Sequence, residues 1–131
     1  MDYSKMRVLV IDDEPFVREI VVRLLHGIGF KEIDQAGDGE AGLQAAIVAS
    51  PDLIICDMYM APMDGLGFIV SLRKQVSEKL QKVPVVFLTA ASDPETVRKA
   101  LGSGANGYIL KPVSRKTLLE RIEAVFSKLK K

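Results

Sequence analysis

Short apolar runs recur along the chain, and each of them ends at a polar or ionisable side chain. Their length and apolar character are typical of strands buried in a sheet. The runs and the residues that follow them are 8–11 before Asp12 and Asp13, 53–56 before Asp57, 85–88 before Thr89, and 108–110 before Lys111. The pattern therefore predicts several strands that each carry a polar or ionisable group at the carboxyl end.

Segments with helical periodicity separate these runs, so strand and helix alternate along the chain. We expect a short polar strand at residues 32–35 in addition to strands at 7–11, 53–56, 85–88 and 107–110. We expect helices at 14–28, 39–49, 66–75, from near 94 to 102–104, and 114–129, with a polar connection at 77–82.

Apolar side chains spaced along one face support the first and the last of these helices. They are Val17, Ile20, Val21, Leu24 and Ile28 in the first helix, and Leu118, Ile122, Val125 and Leu129 in the last. Asp13 is expected to cap the first helix, just before Pro15 in its first turn. Ser92 or Asp93 is expected to cap the helix that starts near residue 94.

This alternation favours a parallel sheet covered by helices on both faces. The best fit is an α/β, flavodoxin-like, doubly wound (βα)5 sandwich whose sheet has the strand order 2-1-3-4-5. Strands one and three are then neighbours, and their carboxyl ends bring Asp12, Asp13 and Asp57 together. Three carboxylates at one edge repel one another unless a cation joins them, which indicates a divalent metal and chemistry on anions.

Composition limits the class of protein further. The chain has 131 residues, 48% of them hydrophobic, and we expect one domain over residues 1–131 with its core at about 6–130. The formal net charge of +1 gives no reason to expect nucleic acid or an anionic membrane as a partner. The single cysteine, Cys56, excludes an internal disulfide and fits a reducing compartment. With no signal peptide and no apolar run long enough for a membrane span, we expect a cytoplasmic protein.

Five stations along the chain resemble one family. They are Val-Leu-Val-Ile-Asp-Asp-Glu-Pro at 8–15, then Asp57, then Met60 with Asp64 and Gly65, then Thr89-Ala90, then Tyr-Ile-Leu-Lys-Pro at 108–112. The chain resembles the receiver domain of two-component response regulators, a family that includes the single-domain chemotaxis regulators. The stations span nearly the whole chain in the family's order, which makes the resemblance far more specific than any one motif.

The resemblance implies that Asp57 accepts a phosphoryl group from a phosphohistidine on a histidine kinase or a phosphotransfer protein. It also implies a Mg²⁺ ion, with Mn²⁺ as an alternative, that reduces the charge repulsion. Asp13 and Asp57 would bind the ion directly, Asp12 through water, and Tyr59 through its backbone carbonyl. Such a protein is not an enzyme in the ordinary sense, because it catalyses only its own phosphotransfer and dephosphorylation.

The remaining stations take roles in signalling by the same resemblance. Lys111 would pair with a phosphoryl oxygen, and its peptide bond to Pro112 would be cis. Thr89 would move towards the phosphoryl group, and Tyr108 would rotate inward into space that the small Ala90 leaves. This switch would alter the face formed by the helix that starts near residue 94, the strand at 107–110 and the helix at 114–129.

Other positions take structural interpretations. Asp64 is expected to cap the helix that follows Gly65, and Cys56 is expected to be a small buried apolar side chain. His26, the only histidine, is expected at the surface near a helix end. Met58, Met60 and Met63 either form an adaptable docking surface or pack within their loop.

Two departures from the family pattern affect expectations. Ala61 separates Met60 from Pro62, where the family usually has proline directly after the methionine. Tyr59 and Ala91 offer no acidic or amide side chain to orient an attacking water, so we expect slow self-dephosphorylation.

Two other functions fit these residues less well. A phosphatase with an aspartate nucleophile commonly carries a second acid two residues later, where this chain has Tyr59. A flavin carrier needs a hydroxyl- and glycine-rich loop after the first strand, where Asp12, Asp13 and Glu14 would repel a flavin phosphate. Two alternatives stay open, a receiver that binds partners without phosphorylation and a receiver fragment of a larger multidomain regulator.

Expected partners are a histidine kinase or phosphotransfer protein and a downstream effector protein. By the resemblance, the histidine partner docks on the first helix at 15–22 and on the loop after the last strand. The expected state is a monomer or a weak dimer that forms on phosphorylation. The kinase, the output target and the phosphorylation lifetime stay open.

Overall fold

The computed structural model describes residues 1–90 and 94–129 of the chain. Its strands are β1 (Arg7–Ile11), β2 (Glu32–Ala36), β3 (Leu53–Asp57), β4 (Val85–Thr89) and β5 (Gly107–Leu110). Its α-helices are α1 (Pro15–Ile28), α2 (Gly39–Ala49), α3 (Gly65–Arg73), α4 (Glu78–Lys82), α5 (Pro94–Gly102) and α6 (Arg115–Leu129), and a 3₁₀ turn spans Tyr3–Lys5.

The strands form one parallel sheet in the order β2-β1-β3-β4-β5, as the sequence predicted. The central strands are apolar because both of their faces are covered by helices. β2 is polar and has only one buried residue, Ala36, which suits its place at the edge of the sheet. The order places the carboxyl ends of β1 and β3 side by side, where open α/β sheets bind their ligands.

Two apolar layers hold the helices against the sheet. One layer joins α2, α3, α4 and α5 to one face, with Phe68, Ile69 and Leu72 of α3 fully buried. The other joins α1 and α6 to the opposite face through side chains such as Val21, Leu25 and Ile122. Alternate residues of each strand serve the two layers, so the strand ends are fixed from both sides.

Several predicted details of the elements are wrong. Asp13 does not cap α1, because the N-cap residue is Glu14, whose side chain makes no capping hydrogen bond. The polar connection predicted at 77–82 contains a short helix, α4, whose first turn is capped by the Ser77 hydroxyl. Ile20 and Leu129, assigned to apolar faces, are 37% and 50% exposed.

Smaller shifts occur at the ends of other elements. β3 and β4 extend to include Asp57 and Thr89, so both side chains stand on the last residue of a strand. α3 begins at Gly65 and ends at Arg73, earlier than predicted at both ends. The caps predicted at Ser92 or Asp93 lie outside the described residues. In the described part of the chain, no helix has the length and apolar character that crossing a membrane requires.

Candidate functional site

Four acidic residues converge at the carboxyl edge of the sheet. Asp12 and Asp57 are buried, whereas Asp13 and Glu14 are exposed, and one carboxylate oxygen of each lies within 4.8 Å of the others. The parallel pairing of β1 with β3 brings Asp12 and Asp57 together, and the turn after β1 adds the other two. The structure thus brings together the three predicted aspartates and adds Glu14, which sequence analysis had not proposed as a ligand.

Lys111 lies among these carboxylates. Its Nζ is 3.3 Å from Asp12 Oδ2, 3.4 Å from Asp57 Oδ1 and 3.7 Å from Glu14 Oε1. Its side chain is only 19% exposed, so these charges interact in a poorly solvated environment. The backbone N–H of Lys111 donates to the Thr89 carbonyl over 2.9 Å, and the peptide bond from Lys111 to Pro112 is cis, as the family resemblance implied.

Burial and nearby negative charge make the carboxyl groups of Asp12 and Asp57 harder to ionise. Burial and the neighbouring Asp12 raise the pKa of Asp57, and Lys111 only partly offsets this. Burial likewise raises the pKa of Asp12, against the lowering effects of the Glu14 N–H and of Lys111. Burial acts to lower the pKa of Lys111, but the charges of Asp57 and Asp12 outweigh it and raise that pKa. The site therefore holds more negative charge than one ammonium group stabilises.

The turn after β1 is fixed by hydrogen bonds to Asp12. The Asp12 N–H donates to the Ala36 carbonyl over 3.1 Å, which continues the pairing of β1 with β2. Its Oδ1 accepts the Glu14 N–H at 2.9 Å, and its carbonyl accepts Nη1 of Arg18 at 2.6 Å. These contacts orient the Asp12 carboxylate towards Asp57 rather than towards solvent.

A close approach at Gly65 fixes the segment after β3. A Cβ at Gly65 would lie 2.7 Å from the Asp57 carbonyl oxygen and 2.7 Å from Cε1 of Phe87, so only glycine fits there. Its N–H donates to the Met58 carbonyl over 2.9 Å. Asp64 caps α3 as predicted, since its Oδ1 accepts the Gly67 N–H at 2.8 Å. The Met58–Gly65 loop therefore returns tightly to the end of β3.

The predicted switch residues lie at the end of β4, just after it, and on β5. Thr89 is 1% exposed at the end of β4, and Ala90 after it is exposed. Tyr108 is half-buried, and its ring lies 6.0 Å from Cζ of Arg121 in α6. Tyr59 is 55% exposed, and its N–H is 3.4 Å from Asp57 Oδ1.

Other predicted residues have structural surroundings. Cys56 is fully buried, and burial raises its thiol pKa well above the ordinary value. Met58 and Met60 are buried in the core, so of the two interpretations of the methionines, loop packing holds for these two. His26 is exposed in the last turn of α1, with Nδ1 3.0 Å from the Phe30 carbonyl oxygen.

An apolar groove beside Lys111 was not predicted as a cavity. It has a volume of about 430 Å³ and lies between α1 and the segment after β5, lined by Phe16, Ile20, Pro112 and Val113 among others. Phe16 is 73% exposed there. The sequence contains one indication of this groove. Phe16 and Ile20 lie four residues apart, which places them on the same side of the helix.

The donor set fits a hard divalent cation. Carboxylate oxygens are the side-chain ligands that Mg²⁺, Ca²⁺ and Mn²⁺ prefer, and no histidine or thiolate joins this cluster among the described residues. The buried Asp12 Oδ2 makes no hydrogen bond in the described part of the chain, although it is ion-paired with Lys111. The chain is therefore an α/β protein with a parallel doubly wound sheet, whose carboxyl edge carries an acidic cluster and a half-buried lysine that together could hold a cation and an anionic group.

Comparison with known proteins identifies the family. A family model described as the response regulator receiver domain matches residues 8–123. The protein named probable chemotaxis protein CheY of Rhizobium etli is 37% identical over 127 residues, which cover 97% of both chains. The chemotaxis response regulator CheY4 of Vibrio cholerae matches with a TM-score of 0.84 and 32% identity, over 92% of this chain and 98% of the other.

A third match comes from a complex. A chain in the CheX–CheY–BeF₃–Mg²⁺ complex from Borrelia burgdorferi matches with a TM-score of 0.84 and 27% identity, over 92% of this chain and 89% of that chain. The chain described here therefore belongs to the response regulator receiver domain family, and a phosphate-accepting function in two-component signalling fits both its sequence and its fold.

Proposed function

We propose that this protein is a signalling switch in which Asp57 is the residue that accepts the phosphoryl group. The observation that carries the proposal is the arrangement of the buried Asp57 carboxylate, with Lys111 Nζ 3.4 Å away and Asp12 and Asp13 beside it. Membership of the receiver family supports it. The phosphoryl donor is a phosphohistidine of a kinase or phosphotransfer protein.

The transfer is a displacement at phosphorus. A carboxylate oxygen of Asp57 forms the new P–O bond while the P–N bond to the histidine breaks, and the imidazole leaves with that electron pair. Lys111 is near enough to Asp57 to pair with a phosphoryl oxygen there. This pairing would weaken the contacts of Lys111 with Asp12 and Asp57. Thr89, buried at the end of the next strand, offers a hydroxyl to another phosphoryl oxygen.

We propose Mg²⁺ as the cation at this site. Asp13 and Asp57 would hold it directly, Asp12 through water, and the Tyr59 carbonyl would add a further oxygen. When bound, it supplies positive charge that reduces the repulsion between the attacking carboxylate and the phosphoryl oxygens. The relative from Borrelia burgdorferi was solved with BeF₃ and Mg²⁺, which supports this choice of ion over Mn²⁺.

The histidine donor would dock on the groove beside Lys111. Exposed Phe16 and Ile20 provide an apolar surface next to the acidic cluster, and apolar contact at that position would bring a donor helix within reach of Asp57. The relative in the complex with CheX shows that a protein of this family assembles with another protein. An effector partner for this chain is inferred on that basis.

The output would run through Thr89 and Tyr108. A phosphoryl group on Asp57 adds negative charge next to Thr89, and the conformer that best satisfies this charge becomes more populated. Tyr108 is half-buried at the start of β5, so an inward rotation would change the surface formed by α5, β5 and α6. This surface is the proposed contact for the effector. The chain would act as one receiver domain in the cytoplasm, as a monomer or as a weak dimer that forms on phosphorylation.

We further propose that the phosphorylated form decays slowly. Tyr59 lies two residues after Asp57, and its side chain offers no carboxylate or amide to orient an attacking water. Ala91, the other position involved, lies outside the described residues. The Tyr59→Asn variant should lose its phosphoryl group faster than the wild type when decay is followed by intact mass after removal of the donor. A variant lifetime equal to or longer than that of the wild type would contradict this.

The function is tested with acetyl phosphate as a small-molecule donor. Incubation with Mg²⁺ should add the mass of one phosphoryl group, and chelation of the metal should prevent it. The Asp57→Asn variant should gain nothing, whereas Asp64→Asn, which keeps a side chain able to cap α3, should react like the wild type. Equal gains in Asp57→Asn and in the wild type would rule out Asp57 as the acceptor. No gain in either, even from a phosphorylated histidine kinase, would favour the phosphorylation-independent receiver.

A further inference from the structure

Arg18 makes a contact with the acidic site that the proposed chemistry does not use. It stands in α1, and its Nη1 donates to the backbone carbonyl of Asp12 over 2.6 Å. The same guanidinium lies against the turn after β2, where a Cβ at Gly37 would be 3.5 Å from Nη1. Arg18 therefore joins α1 to the turn after β1 and lies close to the turn after β2.

Burying Arg18 in its contact with Asp12 is energetically unfavourable for one of its nitrogen atoms. The Nε of Arg18 is buried and makes no hydrogen bond within residues 1–90 and 94–129. A buried donor without a partner is unfavourable, more so when the group is charged. An arginine that served only to fill space could be replaced by an apolar side chain without this penalty, which indicates that its contact with Asp12 has a function.

We propose that Arg18 is a positioning residue for the metal site, an inference that rests on the proposed function. By holding the Asp12 carbonyl, it fixes the backbone from which the Asp12 carboxylate and the adjacent Asp13 carboxylate project. The two carboxylates are then held in place before the cation binds, so binding costs less conformational entropy. Residues that orient metal ligands in this way commonly affect metal affinity without touching the ion.

The sign of the effect separates positioning from simple electrostatics. A positive charge near the site repels a cation, so removing it should strengthen Mg²⁺ binding if charge were the only influence of Arg18. Positioning predicts the opposite change. The two explanations therefore make opposite predictions for Arg18→Met, which removes the charge and the hydrogen bond but keeps an apolar stem of similar shape.

The test is isothermal titration of the unphosphorylated protein with MgCl₂. We expect Arg18→Met to bind Mg²⁺ about tenfold more weakly than the wild type, at the lower end of the effects reported for residues that orient ligands. Arg23→Met is the matched control, because Arg23 is exposed on the same helix and is paired with Glu19. It removes the same charge and should change the affinity less than about twofold.

Each outcome decides the proposal. An affinity of Arg18→Met that equals or exceeds that of the wild type would overturn it. If Arg18→Met does not fold, as judged by its thermal transition, Arg18→Leu takes its place, because it also removes both the charge and the hydrogen bond to the Asp12 carbonyl. Weakened Mg²⁺ binding in Arg18→Leu supports positioning, and an affinity equal to or above that of the wild type overturns it. A wild type that binds no Mg²⁺ would instead contradict the proposed metal site, and with it the role of Arg18.

Discussion

At the scale of single residues, the charges at the carboxyl edge oppose the fold when no cation is present. Asp57 and Asp12 are buried side by side, and both have a raised pKa because of burial, which the nearby Lys111 only partly offsets. A group whose folded-state pKa lies above its unfolded value stabilises the fold below the unfolded pKa. That stability is lost as the pH rises through the folded-state pKa.

This reasoning predicts how Asp57→Asn changes stability with pH. Without Mg²⁺, the melting temperatures of the variant and the wild type should be closest at acid pH, because a carboxyl with a raised pKa is protonated more readily there. The variant should melt a few degrees higher than the wild type near about pH 7, because the buried negative charge is gone. Thermal melts across this range measure the difference, with Glu40→Gln, at an exposed position of α2, as the control. A variant less stable than the wild type at neutral pH would contradict the argument.

Sequence reasoning found part of this site, and the reason is physical. Asp12, Asp13 and Asp57 were predicted to meet because parallel strands place their carboxyl ends at one edge. Arg18 was missed because its contact is to a backbone carbonyl, and no side-chain pattern marks that kind of contact. Glu14 was overlooked as a ligand because its approach to Lys111 depends on the path of the turn after β1.

At the scale of elements, glycines show where backbone segments approach one another. Gly65 has no room for a Cβ, because Asp57, Phe87 and Met58 lie within 2.9 Å of its position. Gly27 in α1 has nothing within 4 Å of the same position. The same substitution should therefore have opposite effects at the two glycines.

We expect Gly65→Ala to lower the free energy of unfolding by about 1–3 kcal/mol, because β3 or α3 must shift to admit the methyl group. Gly27→Ala should raise it by about 0.5–1 kcal/mol, since alanine is the better helix former at an open position. Urea unfolding of both variants gives the two values. Equal changes at the two positions would mean that the close packing of α3 on the end of β3 does not exist in solution.

Asn106 and Arg73 connect elements near the opposite edge of the sheet, where β4 and β5 begin. Asn106 Oδ1 accepts the Val85 N–H at 3.0 Å and lies 3.3 Å from Nη2 of Arg73. Arg73 also donates to the carbonyls of Leu80 and Gly104. The end of α3, the helix α4 and the turn before β5 are thereby held together.

We expect Asn106→Ala to reduce the free energy of unfolding by about 1–3 kcal/mol, because it leaves the N–H of the buried Val85 without this acceptor. Gln81→Ala serves as the comparison and should be nearly neutral, because the Gln81 amide donates to the carbonyls of Gln75 and Val76 at exposed positions. Urea unfolding distinguishes the two, and equal losses would argue against the connection through Asn106.

Sequence patterns predicted the central strands but not every helix or the exposure of every helical residue. The apolar runs located the central strands, but α4 is too short for its period to be recognised, and it forms because Ser77 caps it and Leu80 is buried. Ile20 fits the apolar spacing of α1 yet faces the groove beside Lys111. The helical period shows which face of a helix is apolar. It does not show which part of that face the neighbouring elements cover.

At the scale of the whole molecule, a cation at the site should stabilise the folded protein. A ligand that binds the folded state alone adds about 2.7 kcal/mol when its concentration is a hundred times its dissociation constant. We expect the melting temperature to rise with MgCl₂ concentration, measured against NaCl of equal ionic strength. The Asp13→Asn variant, which lacks one proposed ligand, should show a smaller rise. The same melting temperature in both salts would contradict a metal site in the wild type.

Whether Asp57 accepts the phosphoryl group is tested most directly by identifying the phosphorylated residue itself. The protein is treated with acetyl phosphate and Mg²⁺, then reduced with borohydride, which converts an acyl phosphate to a primary alcohol, and the peptides are mapped by mass spectrometry. We expect homoserine at position 57 and unmodified aspartate at positions 12, 13 and 64. Homoserine at any of those three positions, with Asp57 unmodified, would contradict it.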